Sequence, residues 1–291
     1  MKLSQIFLFF TVLSFFSCDK VEELTPDEAP GSNMLLIGNS FFRPYASNLE
    51  NVALDAGFSN HNANVVFRGG ENGRPINFWN DSNSAEHQEI KAILDGGGIE
   101  IFGMTSGADA DIENNTFDGH RSWIAYALQN NPEVSIFIAI PPIDFPAGET
   151  NGTRPDWQTF AEENGFNNVK ELYYYYVNYI VHKQIVDPLR VEFPSTKIFT
   201  IPTGWATFNL AEMNQEGLLL DQIEMFGPKP TSIFTDEKGH QGQIVIETGT
   251  LVWLEAIYDV DLTTNSYETG FTTDLHSIAN EISSNHDSNY K

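Results

Sequence analysis

The sequence predicts an α/β protein, a three-layer α/β/α sandwich built on a central parallel sheet of about five strands. Three observations lead there. Short apolar runs recur along the chain, each bounded by Gly, Pro or Asn, as strands buried on both faces are. Between them lie stretches whose apolar residues repeat every three or four positions, the period of an amphipathic helix. At 291 residues, 41% hydrophobic and 13% aromatic, the chain can fill one large core. Strands alternating with helices call for parallel pairing with both sheet faces covered.

The elements follow in order. Residues 34–37, Met-Leu-Leu-Ile, make the first strand, which breaks at Gly38-Asn39-Ser40. A helix is expected over 46–56, with Leu49, Val52, Ala53 and Ala56 on one face. Residues 64–67 are the second strand, ahead of Gly69-Gly70, and a helix over 85–94 stops at Gly96-Gly97-Gly98. The third strand covers 99–104, a helix 122–129, and the fourth strand 134–140, closed by Pro141-Pro142. A long helix over 166–191 carries Tyr173 to Tyr176, the fifth strand is 197–201, and 243–258 is the closing helix. One domain over 33–262 results, and 263–291 reads as a loose polar tail.

Residues 1–17 are a targeting segment: Lys2, an apolar run from Ile6 to Leu13, then Ser17 before Cys18. The run is too short for a comfortable membrane span. Cys18 is the only cysteine, so no intramolecular disulfide can form. Its place directly after the apolar run resembles a bacterial lipoprotein signal. That resemblance implies lipidation at Cys18 and an extracytoplasmic protein anchored at the outer membrane or cell surface; an ordinary secretory signal with an incidental cysteine is the alternative. Residues 18–32, with two prolines and a glycine, read as a solvated tether. The formal charge of -25 repels nucleic-acid phosphates and anionic membrane surfaces. Nucleic-acid partners are excluded on that ground, and membrane contact is expected through the lipid anchor alone.

Acyl transfer by serine needs a nucleophile, a histidine base, a carboxylate to orient the histidine, and donors for the oxyanion. Ser40 stands where open α/β sheets deliver chemistry, at the carboxyl end of a strand; helix capping is its other reading. The elbow Gly-x-Ser-x-Gly of α/β-hydrolases is absent. The second candidate is "IFTDEKGHQG", residues 233–242, where His240 follows Asp236 by four positions and Glu237 by three. In one helical turn either carboxylate would reach the ring and fix its tautomer.

Gly38-Asn39-Ser40-Phe41 after the first strand, Gly69-Gly70 after the second, a carboxylate just before His240 ahead of the last helix, and "IPTGWA" at 201–206 together resemble the SGNH, or GDSL-like, hydrolases. The resemblance spans roughly residues 33–260. It implies that Ser40 attacks an ester carbonyl and that His240 serves as general base and then general acid. The orienting acid is Glu237 by position or Asp236 by type, and the shorter side chain favours Asp236. The backbone N–H groups of Ser40 and Gly70 would face the oxyanion, with Gly70 letting backbone approach closely. The family's third block, Gly-x-Asn-Asp, has no counterpart in "GMTSGADAD" or "IPPIDFP"; a hydroxyl of Thr105 or Ser106 is the available substitute.

The remaining features carry less chemistry. Four consecutive tyrosines cannot share one helix face, so some pack and some meet solvent, where sugar stacking is one use. Trp79, Trp157 and Trp205 fall near loops or strand ends, with core packing the simpler reading. His61, His87, His120 and His182 lack metal-ligand spacing with acids, and Gly96 to Gly98 precedes a strand rather than a helix. No metal and no cofactor is expected. The resemblance and the anchored location together point to a serine esterase that removes O-acyl groups, acetyl above all, from carbohydrate. An acylated carbohydrate or another ester is the expected substrate; the alternative is a noncatalytic glycan-binding lipoprotein on the same fold.

Overall fold

The computed structural model describes residues 30–107 and 117–291. The expected targeting segment, Cys18 and the tether up to residue 29 lie outside the described residues.

The middle layer is a parallel sheet of β1 (Asn33–Gly38), β2 (Asn62–Phe67), β3 (Ile101–Thr105), β4 (Ser135–Ala139) and β5 (Ile198–Ile201), in spatial order β2-β1-β3-β4-β5. Register places Leu36 opposite Val65 and Ile37 opposite Met104. Met34 and Leu36 enter one core, Leu35 and Ile37 the other. From Met34 to Gly38 every residue of β1 is buried, which is why Met34 to Ile37 read as an unbroken apolar run.

Helices cover both faces. In chain order they are α1 (Arg43–Asp55), α2 (Pro75–Asn80), α3 (Ala85–Gly96), α4 (Asp118–Ala127) and α5 (Trp157–Glu163). Then come α6 (Val169–Tyr175), α7 (Asp187–Glu192), α8 (Gly204–Gln215), α9 (Gln243–Tyr258) and α10 (Leu275–Asn285). The fold is the three-layer α/β/α sandwich that the alternation predicts. Helices α1, α8, α9 and α10 share one core, whose centre is Trp253 against Phe42 and Phe137 at 5.0 and 5.1 Å. The other core gathers α2, α3, α4 and the α6–α7 segment around Phe78, Ile90, Trp123 and Ile180.

Two expectations are corrected. The long helix over 166–191 is three segments: α6, a wider π-helical stretch Tyr176–Val186, and α7, with Pro188 in its first turn. The segment after Asp261 is not loose. Leu275, Ala279 and Ile282 recur at helical spacing on α10 and are buried against α9, while Tyr290 stacks on His182 at 3.7 Å. The polar residues between them mask that stripe in the sequence. A small parallel pair, β6 (Glu224–Phe226) and β7 (Ser232–Phe234), also goes unpredicted because each strand is only three residues long.

The strand order reverses between β1 and β3, and such a switch point opens a crevice beyond the carboxyl ends of the strands. Ser40 follows β1, Gly70 follows β2, and Thr105 and Ser106 close β3.

Candidate active site

The break after β1 is a turn held by Asn39. Its buried side-chain Oδ1 accepts from Phe41 N at 3.0 Å, and its carbonyl accepts from Phe42 N at 3.2 Å and Arg43 N at 3.0 Å. Ser40 is carried on that turn. It caps nothing: α1 begins after Phe42 with no side-chain cap, and Ser40 Oγ lies 2.8 Å from His240 Nε2.

His240 arrives on a different local structure from the helical turn the spacing suggested. Thr235 N donates to His240 O at 2.8 Å and Phe234 bridges Gln241, so residues 235–240 form a tight reversal between β7 and the entry to α9. Inside it Asp236 Oδ1 accepts from Gly239 N (3.1 Å) and His240 N (3.2 Å), which brings Oδ2 to 2.6 Å from His240 Nδ1. Glu237 is exposed and forms no bond with His240. Gly239 has φ +96°, and a Cβ there would sit 2.8 Å from Pro146 Cδ, so both its handedness and its neighbour demand glycine.

These bonds fix the proton positions. A carboxylate only accepts, so Nδ1 carries the ring proton and Nε2 is left to accept from the Ser40 hydroxyl. Partial burial pushes the Asp236 carboxyl up, but the hydrogen bonds from the His240 ring and backbone and from Gly239 N outweigh it and hold the group below its ordinary value. Phe41 stacks on the imidazole at 4.9 Å, and Gln241 Nε2 donates to Phe41 O at 3.2 Å. Neither contact is legible in the sequence, where no spacing signal links positions 200 residues apart.

The expected oxyanion groups are distributed as follows. Ser40 N and Gly70 N have no acceptor among the described residues. Gly70 adopts φ +56° with open space around it, so left-handed geometry is what it supplies. The close approach foreseen for Gly70 occurs instead at Gly73, where a Cβ would lie 2.7 Å from Asn39 Cα. Thr105 is fully buried, its hydroxyl lacks a partner among the described residues, and its carbonyl accepts from His120 Nε2 at 3.0 Å. Ser106 is also buried, with Oγ 3.4 Å from Tyr176 Oη.

Beside the His240 reversal a cleft of about 200 Å³ opens, lined by Glu71, Phe145, Arg154 and Lys238 among others. The loop after β4 is tied to the reversal there: Phe145 N donates to Lys238 O at 2.8 Å, and Lys238 Nζ pairs with Asp144 at 3.2 Å.

The other singled-out residues lie elsewhere. Tyr173 and Tyr176 are core, and Tyr173 Oη donates to Ile140 O at 2.7 Å while accepting from Gly204 N at 3.0 Å, at the "IPTGWA" junction. Trp79 packs edge-on to Trp123, and Trp157 Nε1 donates to Ile143 O at 2.9 Å. His61, His87 and His182 bond Tyr258 Oη, Phe78 O and Thr200 Oγ1.

No family model and no curated protein sequence matches the chain. Among solved structures it is similar to a DUF4886 family protein from Bacteroides uniformis, with TM-score 0.51 and 14% identity, over 86% of this chain and 94% of that one. At that identity the likeness speaks to the fold, the same α/β/α layering. A second structure, the periplasmic domain of a lipopolysaccharide acetyltransferase from Salmonella ser. Paratyphi A, aligns with TM-score 0.36 and 14% identity over 61% of this chain and 68% of that one.

Proposed function

We propose that the protein is a serine esterase that removes O-acyl groups from carbohydrate outside the cytoplasm. The observation that carries this reading is the continuous hydrogen-bond chain from Asp236 through His240 to Ser40, at the carboxyl edge of a parallel sheet.

The chemistry follows from the proton positions. Ser40 Oγ attacks the ester carbonyl as its proton passes to His240 Nε2, the C–O bond forms, and the carbonyl electrons move onto oxygen. Asp236 accepts from Nδ1–H throughout and stabilises the imidazolium. The N–H groups of Ser40 and Gly70 take the oxyanion. Collapse expels the alcohol, which takes the proton from Nε2, and leaves an acyl-Ser40 ester. Water, deprotonated by the same ring, then attacks that ester and releases the carboxylic acid and free Ser40.

Anchoring through Cys18 is part of the proposal. Among the described residues no helix is long and apolar enough to cross a membrane. Replacing Cys18 with alanine should move the protein from the membrane fraction to the soluble one; retention in the membrane fraction would remove the anchor from this account.

The direct test is hydrolysis of para-nitrophenyl acetate by the parent, Ser40→Ala and His240→Ala proteins, each checked for folding. The expected loss in both variants is about a thousandfold or more. Equal turnover in all three would refute the site.

A further inference from the structure

We infer that the carbohydrate substrate is a chain rather than a single unit, and that it lies in a groove running from the His240 reversal along α6 to α10, with Tyr174 as its stacking residue. This deepens the esterase reading and rests on it for the bond that is cleaved.

Two cavities form the groove. One, of about 710 Å³, begins at Pro146, the residue packed against Gly239, and runs between α5, α6 and α8. The other, of about 480 Å³, continues between α6, α8 and α10. Lys170 lines both. The stretch from Asn168 to Asn178 along the α6 wall spans about 15 Å, more than one sugar ring fills.

The lining selects the occupant. Tyr174 is 59% exposed in the groove although its neighbours Tyr173 and Tyr176 are core, and Trp205 stands across from it. Aromatic faces paired with amides suit a ring that is apolar above and below and hydroxylated at its rim. Asn178 donates to Tyr174 O through Nδ2, leaving its Oδ1 to accept, and Asn209 and Asn285 add further amides. The charged groups are mostly acidic, and Lys170 is already paired with Glu212 at 2.8 Å, so a polyanion is repelled. An extended peptide would seek a free strand edge. The β5 edge beside the groove is occupied: Arg190 donates to Ile198 O, and Thr200 Oγ1 donates to Tyr290 O at 3.4 Å. A neutral polyhydroxylated chain is what remains.

The experiment separates this proposal from the catalytic one. Ser40→Ala protein is titrated calorimetrically with neutral, unacylated hexasaccharides of glucose, xylose, mannose and N-acetylglucosamine, and with a pool of extended hexapeptides. Binding of at least one glycan is expected, weakened about tenfold by Tyr174→Ala and restored by Tyr174→Phe. No glycan binding, binding indifferent to Tyr174, or tighter binding of the peptides would each overturn the groove. Tyr174-dependent glycan binding by a protein whose parent hydrolyses no ester would uphold the groove and sink the esterase reading. An active parent that binds no chain would do the reverse.

Discussion

Asp236 does two things at once: Oδ1 closes the reversal on the N–H groups of Gly239 and His240, and Oδ2 takes the ring N–H of His240. Asparagine would keep one acceptor but present an amide that favours the wrong imidazole tautomer. Asp236→Asn should therefore lower kcat by about 10³ to 10⁴ with KM little changed, whereas Glu237→Gln should stay within about threefold. Steady-state kinetics on para-nitrophenyl acetate decides; a larger loss in the Glu237 variant would reverse the roles. At this scale the sequence was readable where chemistry is local. Gly38-Asn39-Ser40 marks a strand break and the Asp236 to His240 spacing marks a pair, so both halves could be proposed from pattern. The face of His240 that Phe41 covers, and the bond from Gln241 to Phe41 O, join segments 200 residues apart. Folding alone reveals those.

Each member of the Asp236–His240–Ser40 hydrogen-bond chain sits on an element whose shape depends on a neighbour. The His240 reversal leans on the loop after β4, through Phe145 N to Lys238 O and through Pro146 against Gly239. Gly239→Ala would need a left-handed alanine and a shift of Pro146. It should cost about 1 to 3 kcal/mol in stability and lower kcat more than it raises KM, because His240 moves before the binding cleft does. Thermal unfolding beside steady-state kinetics tests this, and an unaltered kcat would show that the reversal tolerates the shift. The large elements were visible in the sequence because strands buried on both faces and amphipathic helices carry strong periods. Helix α8 was missed since its burial at the sheet margin, with Ala206, Phe208, Leu210 and Ala211 all covered, leaves no clean stripe. Helix α10 does have a stripe, but one spread thinly among serines and asparagines.

The whole molecule is closed by its last residues, and that closure is sensitive to acid. Thr200 Oγ1 lies 3.0 Å from His182 Nε2, 2.9 Å from His286 Nε2 and 3.4 Å from Tyr290 O, so one hydroxyl joins both rings to the terminal turn. Tyr290 stacks on His182, and Lys183, Asp187, Asp287 and Lys291 surround the pair. Burial lowers His182 to about 3 and His286 to about 4, the neighbouring charges adding smaller effects of both signs. In the unfolded chain both titrate near 6.5. Between those limits the unfolded state binds more protons, so the stability of the clasp is complete above about pH 6.5 and is lost as pH falls towards 4 and 3. The loss for the pair is on the order of a few kcal/mol. The formal charge of -25 works in the opposite direction, since protonating surface carboxylates relieves self-repulsion. A melting curve of the parent alone therefore mixes two effects. Comparison with a His182→Gln, His286→Gln double variant separates them, because both proteins share the same acidic surface. The parent should lose more stability than the variant between pH 6.5 and 4, with the gap appearing first in hydrogen exchange of α10 and the terminal turn at Tyr290. Parallel pH profiles for the two proteins would mean that both rings take up protons in the folded protein as readily as in the unfolded chain, and that the clasp is not acid-sensitive through them.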